Sequence, residues 1–230
     1  QSEGQRISKF GKLIFQDFKP TITGINLEIY PVGIAKTTYL GNNKYKFDPS
    51  AGLDVFYNPS EQLTFLLTAN PDYAQIEADP FSFNISRYES YFSERRPFFT
   101  EGNEVFNPAG RQRSSGFYRP LELFYSRRIG KLLPGGEEVP LIFGTKAFGR
   151  YSDWEYGGFV ALTGETDYVD DENNMAEPQA YFGSARLKKQ ILDNSSVGVL
   201  MVAKQTKENT YGVIDIDGAF RESDWQLAYQ

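Results

Sequence analysis

The sequence predicts an all-β chain of antiparallel strands that form a transmembrane β-barrel, with one long plug-like segment folded inward. Three observations carry this prediction. Apolar and polar residues alternate with period two along most of the 230 residues, and no stretch shows a convincing amphipathic helix. The strands that this alternation implies run to about 8–14 residues, closer to the ~9–11 of a membrane-crossing strand than to the ~5–6 of a globular sheet. The faces opposite the apolar ones carry Lys146, Arg150, Arg186, Lys188 and Gln190. A wet lumen accommodates such residues, whereas the core of a sandwich does not. A soluble β-sandwich is the runner-up reading.

The elements follow in order. Residues 1–22 read as a lead-in, and residues 23–230 as barrel strands. From Thr23 to Leu40, Ile25, Leu27 and Ile29 share one face while Asn26 and Glu28 share the other. From Gln62, the apolar set Leu63, Phe65, Leu67 and Ala69 alternates with Gln62, Thr64 and Thr68. From Val139, Leu141, Phe143 and Ala147 oppose Gly144, Lys146 and Arg150. Tyr156, Val160 and Leu162 share a face after Trp154, and Tyr181, Ala185, Leu187 and Ile191 oppose Ser184, Arg186, Lys188 and Gln190. The stretch Ser196 to Thr206 is apolar on both faces as far as Lys204. Turn chemistry separates these runs at Gly41-Asn42-Asn43, Asn58-Pro59-Ser60, Tyr151-Ser152-Asp153, Asp193-Asn194 and Lys207-Glu208-Asn209. Tyr39, Tyr57, Tyr151, Trp154 and Tyr181 fall near strand ends, where the aromatic girdles of a barrel sit. Asp224 to Gln230 begins a further alternating strand, so the expectation is a partial chain whose barrel continues beyond residue 230.

Two connections are longer. Asp167 to Pro178 is acidic and reads as an exposed loop. Residues 70–120 show little strand pattern, yet they are rich in Phe and Tyr as well as in charge. A segment so long and irregular is functional or disordered, and its aromatic content favours order. It is expected inside the lumen.

Composition narrows the chemistry. The chain has no Cys and no His, which removes disulfides, thiolate nucleophiles, Ser-His-Asp catalysis and His-ligated zinc or iron. Any bound metal would need oxygen ligands. The net charge of −6 argues against broad nucleic-acid binding. No stretch reaches the ~20 apolar residues of a membrane helix.

Asn70 to Pro80 reads NPDYAQIEADP, residues 83–106 read FNISRYESYFSERRPFFTEGNEVF, and residues 124–130 read FYSRRIG. In these words the chain resembles a family of uncharacterised outer-membrane β-barrel proteins of Gram-negative bacteria. In that family a domain of unknown function follows an N-terminal carbohydrate-binding-like module. Tyr73, Ile76 and Ser93 are mild departures from the family pattern. The resemblance implies an outer-membrane location and a barrel with an inward-folded segment. It supplies no reaction.

Within these words, Arg87, Glu89, Glu94, Arg95, Arg96, Glu101, Arg127 and Arg128 are the candidate lumenal ion-pair network. Arginine forks pair bidentately with carboxylates, and such a lattice either sets what passes or only anchors the loop, the latter being favoured. Asp72, Glu77 and Asp79 are weak candidates for a calcium site, because their spacing does not match a calcium-binding loop. Ion pairing and turn capping are the favoured reading for them. Thirty acidic residues make chance carboxylate pairs plentiful, so no glycosidase dyad can be read. The expected function is a non-enzymatic channel, export or assembly component of the cell envelope. It needs no cofactor, binds no nucleic acid, and has membrane lipid and other envelope proteins as partners. A carbohydrate-binding or carbohydrate-processing surface protein, with a glycan as partner, is the rival, and a structural scaffold subunit is another.

Overall fold

The structure, a computed structural model, describes residues 25–39, 41, 44–71, 93–108, 121–133, 138–170, 173–192, 195–222 and 225–230. The lead-in at 1–22 lies outside them. Nine strands form one antiparallel sheet: β1 (Asn26–Tyr39), β2 (Tyr45–Ser60), β3 (Leu63–Ala69), β4 (Leu141–Tyr151), β5 (Trp154–Thr163), β8 (Ala180–Ile191), β9 (Ser195–Thr206), β10 (Thr210–Glu222) and β11 (Trp225–Tyr229), in that order. Between β5 and β8 a separate hairpin is built from β6 (Thr166–Asp170) and β7 (Asn173–Glu177). The stretch expected to be a loop is therefore paired strand, although most of its side chains are exposed. Backbone pairing between 166–170 and 177–173 satisfies groups that a loop would leave to water. Among the described residues the sheet is not closed: β1 and β11 are its edges.

Register sorts the side chains into two faces. Val55 pairs with Leu67, Tyr57 with Phe65, and Ile29 with Val55, so these side chains share the outer face. Across the sheet the same face carries Val160, Tyr181, Leu187, Met201, Ile214, Ile216 and Leu227, all exposed. The inner face carries Leu66, Thr68, Lys146, Phe159, Ala161, Arg186, Leu200 and Asp217, all buried. The alternation predicted for β1, β3, β5 and β8 is the one observed. One residue differs. A register shift between Leu141 and Phe143 turns Leu141 inward, where it is buried in the core instead of sharing the outer face with Phe143. The double-sided apolar character of β9 also has a cause. Leu200 and Val202 face the inner core while Met201 faces out.

The two rims differ. At one, hairpins are tight: Ser60–Leu63, Tyr151–Trp154, Ile191–Ser195 and Glu222–Trp225 are the closing pairs. The other rim carries the turns from Tyr39 to Tyr45 and from Thr206 to Thr210 together with the longer connections from Ala69 to Leu141 and from Thr163 to Ala180.

The chain turns out of β3 at Asn70, whose backbone is left-handed with φ 42°, a conformation Asn tolerates better than most residues. Its amide N–H donates to the Ile142 carbonyl at 2.8 Å, and its side-chain Nδ2 donates to the Ala51 carbonyl at 2.7 Å and to Ser50 Oγ at 3.0 Å. Over the inner face, residues 93–108 and 121–133 form one helical turn, α1 (Pro97–Thr100), and two 3₁₀ turns, Asn103–Phe106 and Ser126–Arg128. Phe98, Phe99, Val105, Phe106 and Ile129 make one buried cluster with Leu66, Leu141, Phe159, Ala161 and Leu200 of the wall. Each such side chain contributes about 1.5–3 kcal/mol relative to exposure. Among the described residues this cluster, and not a second sheet, is the core.

Candidate functional site

The inner segment is held by three cations. Arg96 is the hub, with 1% of its surface exposed. Its Nε donates to Glu94 Oε1 at 2.9 Å and its Nη2 to Glu94 Oε2 at 2.8 Å, a two-pronged pair. Nη2 also donates to the Ser126 carbonyl at 2.9 Å, and Nη1 donates to the Ile129 carbonyl at 2.6 Å. The guanidinium lies 4.3 Å from the centre of the Phe99 ring, within cation–π range. Glu94 accepts further from the Ser126 hydroxyl at 2.5 Å and from its own neighbours' amides, Arg95 N and Arg96 N, both at 3.0 Å. Burial alone would push the Glu94 carboxyl up. The Arg96 hydrogen bonds and charge, with Ser126, outweigh it and hold the group below its ordinary value of 4.5.

This geometry explains the two sequence words. Pro97 opens α1 where a missing N–H costs nothing. Gly130 adopts φ +71°, and a Cβ there would stand 3.2 Å from Arg96 Nη1. Only glycine gives that backbone and that clearance together. The words around 94–102 and 126–130 are thus two halves of one construction, joined by Arg96.

Lys146, on the inner face of β4, is 3% exposed. Its Nζ donates to the backbone carbonyls of Phe98 at 3.1 Å, Phe99 at 3.3 Å and Glu101 at 2.5 Å. These are the carbonyls at the end of α1, which the short helix cannot satisfy itself. The rings of Phe98, Phe106 and Phe148 stand 5.4–5.9 Å from the ammonium. A wall strand therefore caps the inner segment.

Arg186, on β8, reaches Asp217 on β10. Nη2 donates to Oδ1 at 2.8 Å and Nη1 to Oδ2. Both side chains are almost wholly buried. Nη2 also donates to the Asn107 carbonyl at 3.3 Å, a link from wall to inner segment. The guanidinium crosses β9 over Gly198, where a Cβ would stand 2.8 Å from Nη2. Gly144 and Gly157 are recesses of the same kind. Added Cβ atoms there would meet Phe98 at 2.7 Å and Val105 at 2.9 Å.

Polar cavities flank the segment. One of about 220 Å³ lies between Glu94, Asn103 and Tyr125 on the segment and Leu200 and Asp215 on the wall. Another of about 290 Å³ lies toward the tight-turn rim, lined by Arg150, Glu155, Lys188, Gln190, Ser195 and Arg221. There Glu155 accepts from Arg150 at 2.6 Å and from Lys188 at 2.5 Å. At the other rim Glu177, at the end of β7, pairs with Lys131 at 2.9 Å and Lys204 at 3.4 Å, tying the β6–β7 hairpin to the inner segment and to β9.

Of the network expected from sequence, Glu94 and Arg96 come together as an ion pair. Arg95 is exposed beside them, and Glu101 contributes its carbonyl to Lys146 with its side chain exposed. Arg127 and Arg128 flank the Ser126 and Ile129 carbonyls that Arg96 grips. Arg87, Glu89 and the metal candidates Asp72, Glu77 and Asp79 lie outside the described residues. Among the described residues no three His, Cys, Asp or Glu side chains gather closely enough to hold a metal ion. Sequence reading placed Lys146 and Arg186 inward without making them anchors, and it missed Asp217 and Gly198. Only the register brings them together: with β8, β9 and β10 paired in succession, Arg186, Gly198 and Asp217 fall on the same face.

A family model described as Domain of unknown function (DUF5916) matches residues 23–139, just over half of the chain. No curated protein and no solved structure matches it.

Proposed function

We propose that this chain, which belongs to the DUF5916 family, is part of an outer-membrane β-barrel of a Gram-negative bacterium and serves as a channel, export or assembly component of the cell envelope, without catalysing a reaction. One observation carries this reading. A single face of a nine-stranded sheet is apolar and exposed from Leu27 and Ile29 through Phe65, Val160 and Leu187 to Ile216 and Leu227. The opposite face holds Arg186–Asp217, Lys146 and the inner segment. In water so broad an apolar surface is a liability. In hydrocarbon it is the favoured state, provided the backbone is paired.

Dimensions support the reading. On β8, Tyr181 lies eight residues from Lys189, the partner of Trp154. At ~3.4 Å per residue this is about 27 Å along the strand, or about 21 Å in height at a tilt of ~40°, close to the ~25 Å apolar band of such barrels. The rims support it as well. Barrels of this class carry tight turns on the periplasmic side and long connections outside; here both long connections fall on one rim, beside the turns that follow β1 and β9, and every turn at the other rim is tight. The inner segment then narrows the lumen. Its anchoring at Arg96, Lys146 and Arg186 suits a fixed constriction better than a loose stopper.

Fractionation tests the reading first. The protein should stay in the membrane through alkaline carbonate extraction and should float with liposomes. Recovery from the periplasm without detergent would refute it. Planar-bilayer recordings test the constriction. Arg95→Ala/Arg96→Ala should raise conductance and protease sensitivity, and no change in either would end the idea.

A further inference from the structure

Toward the tight-turn rim the inner face carries a hollow of about 290 Å³ that the inner segment does not line. Three strands bring a cation to it, each near its end: Arg150 on β4, Lys188 on β8 and Arg221 on β10. Register explains the room between them. β9 separates β8 from β10 and opens here with Ser195 and Ser196, whose small side chains leave space among the longer ones.

Donors outnumber acceptors in this hollow. Two carboxylates line it, and one of them, Asp153, belongs to an exposed turn residue. The other, Glu155, is 12% exposed and already holds two cations, Arg150 at 2.6 Å and Lys188 at 2.5 Å. Lys188 Nζ has three N–H groups, and Glu155 takes one. The other two meet no protein acceptor among the described residues, although the side chain is only 20% exposed. Ser195 is 1% exposed. Its Oγ accepts from the Arg221 amide at 3.1 Å, so its own proton is left to donate, again with no acceptor among the described residues. Buried donors left unmatched are costly.

The surplus has a definite chemistry. Three cations less the charge of Glu155 leave about two positive charges around the hollow. A phosphoryl group carries about −1.5 to −2 near neutrality and presents three acceptor oxygens, whereas a carboxylate presents two oxygens and one charge. The volume falls at the lower end of the ~300–1,000 Å³ of ligand sites, so whatever the phosphoryl group carries is small. The hollow is on the opposite side of the sheet from the exposed apolar face, out of reach of a lipid headgroup anchored there.

We propose that this hollow binds a small, water-soluble phosphate ester, whose phosphoryl oxygens accept from Lys188 Nζ, the Arg150 and Arg221 guanidinium groups and the Ser195 hydroxyl. The site is the same whether the outer face meets lipid or water.

Isothermal titration of the full-length protein in detergent with glycerol 3-phosphate tests this, at fixed ionic strength because exposed charges are screened. One molecule should bind per chain, with saturation in the millimolar range or below. Lys188→Gln and Arg221→Gln, each checked for parental circular dichroism, should weaken binding about tenfold or more, the loss expected of a charged hydrogen bond. Lys204→Gln, at the opposite rim, should leave it within about twofold. In the unsubstituted protein glycerol 3-phosphate should slow hydrogen exchange of the Ser195, Ser196 and Arg221 amides. No saturation, no slowing there, or an equal loss in Lys204→Gln would overturn the site. Acetate binding as tightly as glycerol 3-phosphate would overturn the phosphoryl assignment. Tighter binding of dihexanoyl phosphatidic acid would give the site to a lipid headgroup and overturn the soluble ester. Failure to bind in a protein that floats with liposomes would overturn the site and leave the membrane reading intact.

Discussion

Replacing Arg96 with methionine removes the hub of the inner segment at nearly constant volume. Three acceptors lose their donor: the Glu94 carboxylate and the Ser126 and Ile129 carbonyls. The Glu94 side chain is 9% exposed, so it cannot recover its hydration. Stranding one partner of a buried ion pair costs about 3–5 kcal/mol, and a stranded buried carbonyl about 1–3 kcal/mol. These losses overlap, since one relaxation relieves all of them, so the total stays within the range of the ion pair alone, at about 4 kcal/mol. The loss should appear as local opening, because the wall strands keep their own ladders. Hydrogen exchange of the amides at 96–106 and 126–130 should quicken about 10²–10³-fold, at ~1.4 kcal/mol per decade. Amides of β8 and β9 should change little. Glu94→Gln/Arg96→Met should recover about 1–2 kcal/mol, because the double change leaves no buried charge. Arg95→Ala, at an exposed site, should stay within about 0.5 kcal/mol of the parent. If Arg96→Met leaves exchange at 126–130 within threefold of the parent, the hub is not what joins the two halves.

Acid should act through the same pair. The folded Glu94 carboxyl titrates below its ordinary value of 4.5. Its stabilisation is therefore fully present above that value and fades as pH falls through the lower folded value. Opening free energy of the inner segment should be flat from neutrality down to about pH 5 and decline below that, and Glu94→Gln should flatten the acid limb. Gly198→Val should cost about 2–3 kcal/mol, by driving a side chain into the Arg186 guanidinium. Thermal unfolding in detergent measures this loss, and Arg186→Met/Asp217→Leu should relieve most of it. Lys146→Met should cost about 2–4 kcal/mol by stranding the carbonyls of Phe98, Phe99 and Glu101, read as protease cleavage within α1 and the turn after it. Val160→Arg separates the environments of the outer face. At a site 49% exposed, the change should cost about 2–4 kcal/mol if the face meets lipid near mid-bilayer, and within about 0.5 kcal/mol if it meets water. Equilibrium unfolding into urea from lipid vesicles distinguishes the two.

Much of the wall was legible because period two is a strong signal. Ile25, Leu27 and Ile29, or Arg186, Lys188 and Gln190, declare their face whatever lies next to them. Leu141 escaped because a bulge shifts parity by one, and nothing in the residues near it marks the shift. The β6–β7 hairpin escaped because its strands, TDYVD and NNMAE, are polar on both faces, which removes the alternation that betrays a strand. The inner segment was legible as ordered from its aromatics, yet its wiring was not. Arg95 and Arg96 are identical in composition terms, and only burial separates the hub from its exposed neighbour. Arg186 with Asp217 was hidden for a different cause. The pair spans 31 residues and skips a strand, so it appears only once register is known.

The recesses at Gly144, Gly157 and Gly198 carry a lesson for anyone wishing to strip the inner segment from this sheet. At two of them the wall is a mould of its filling, the missing side chain being an imprint of Phe98 or Val105, while Gly198 makes room for Arg186 of the wall itself. Excising the filling would leave pits and a bare ammonium at Lys146 where a smooth face was wanted. A usable face would require recasting those wall positions together with the deletion, so lining and contents must be engineered as one piece.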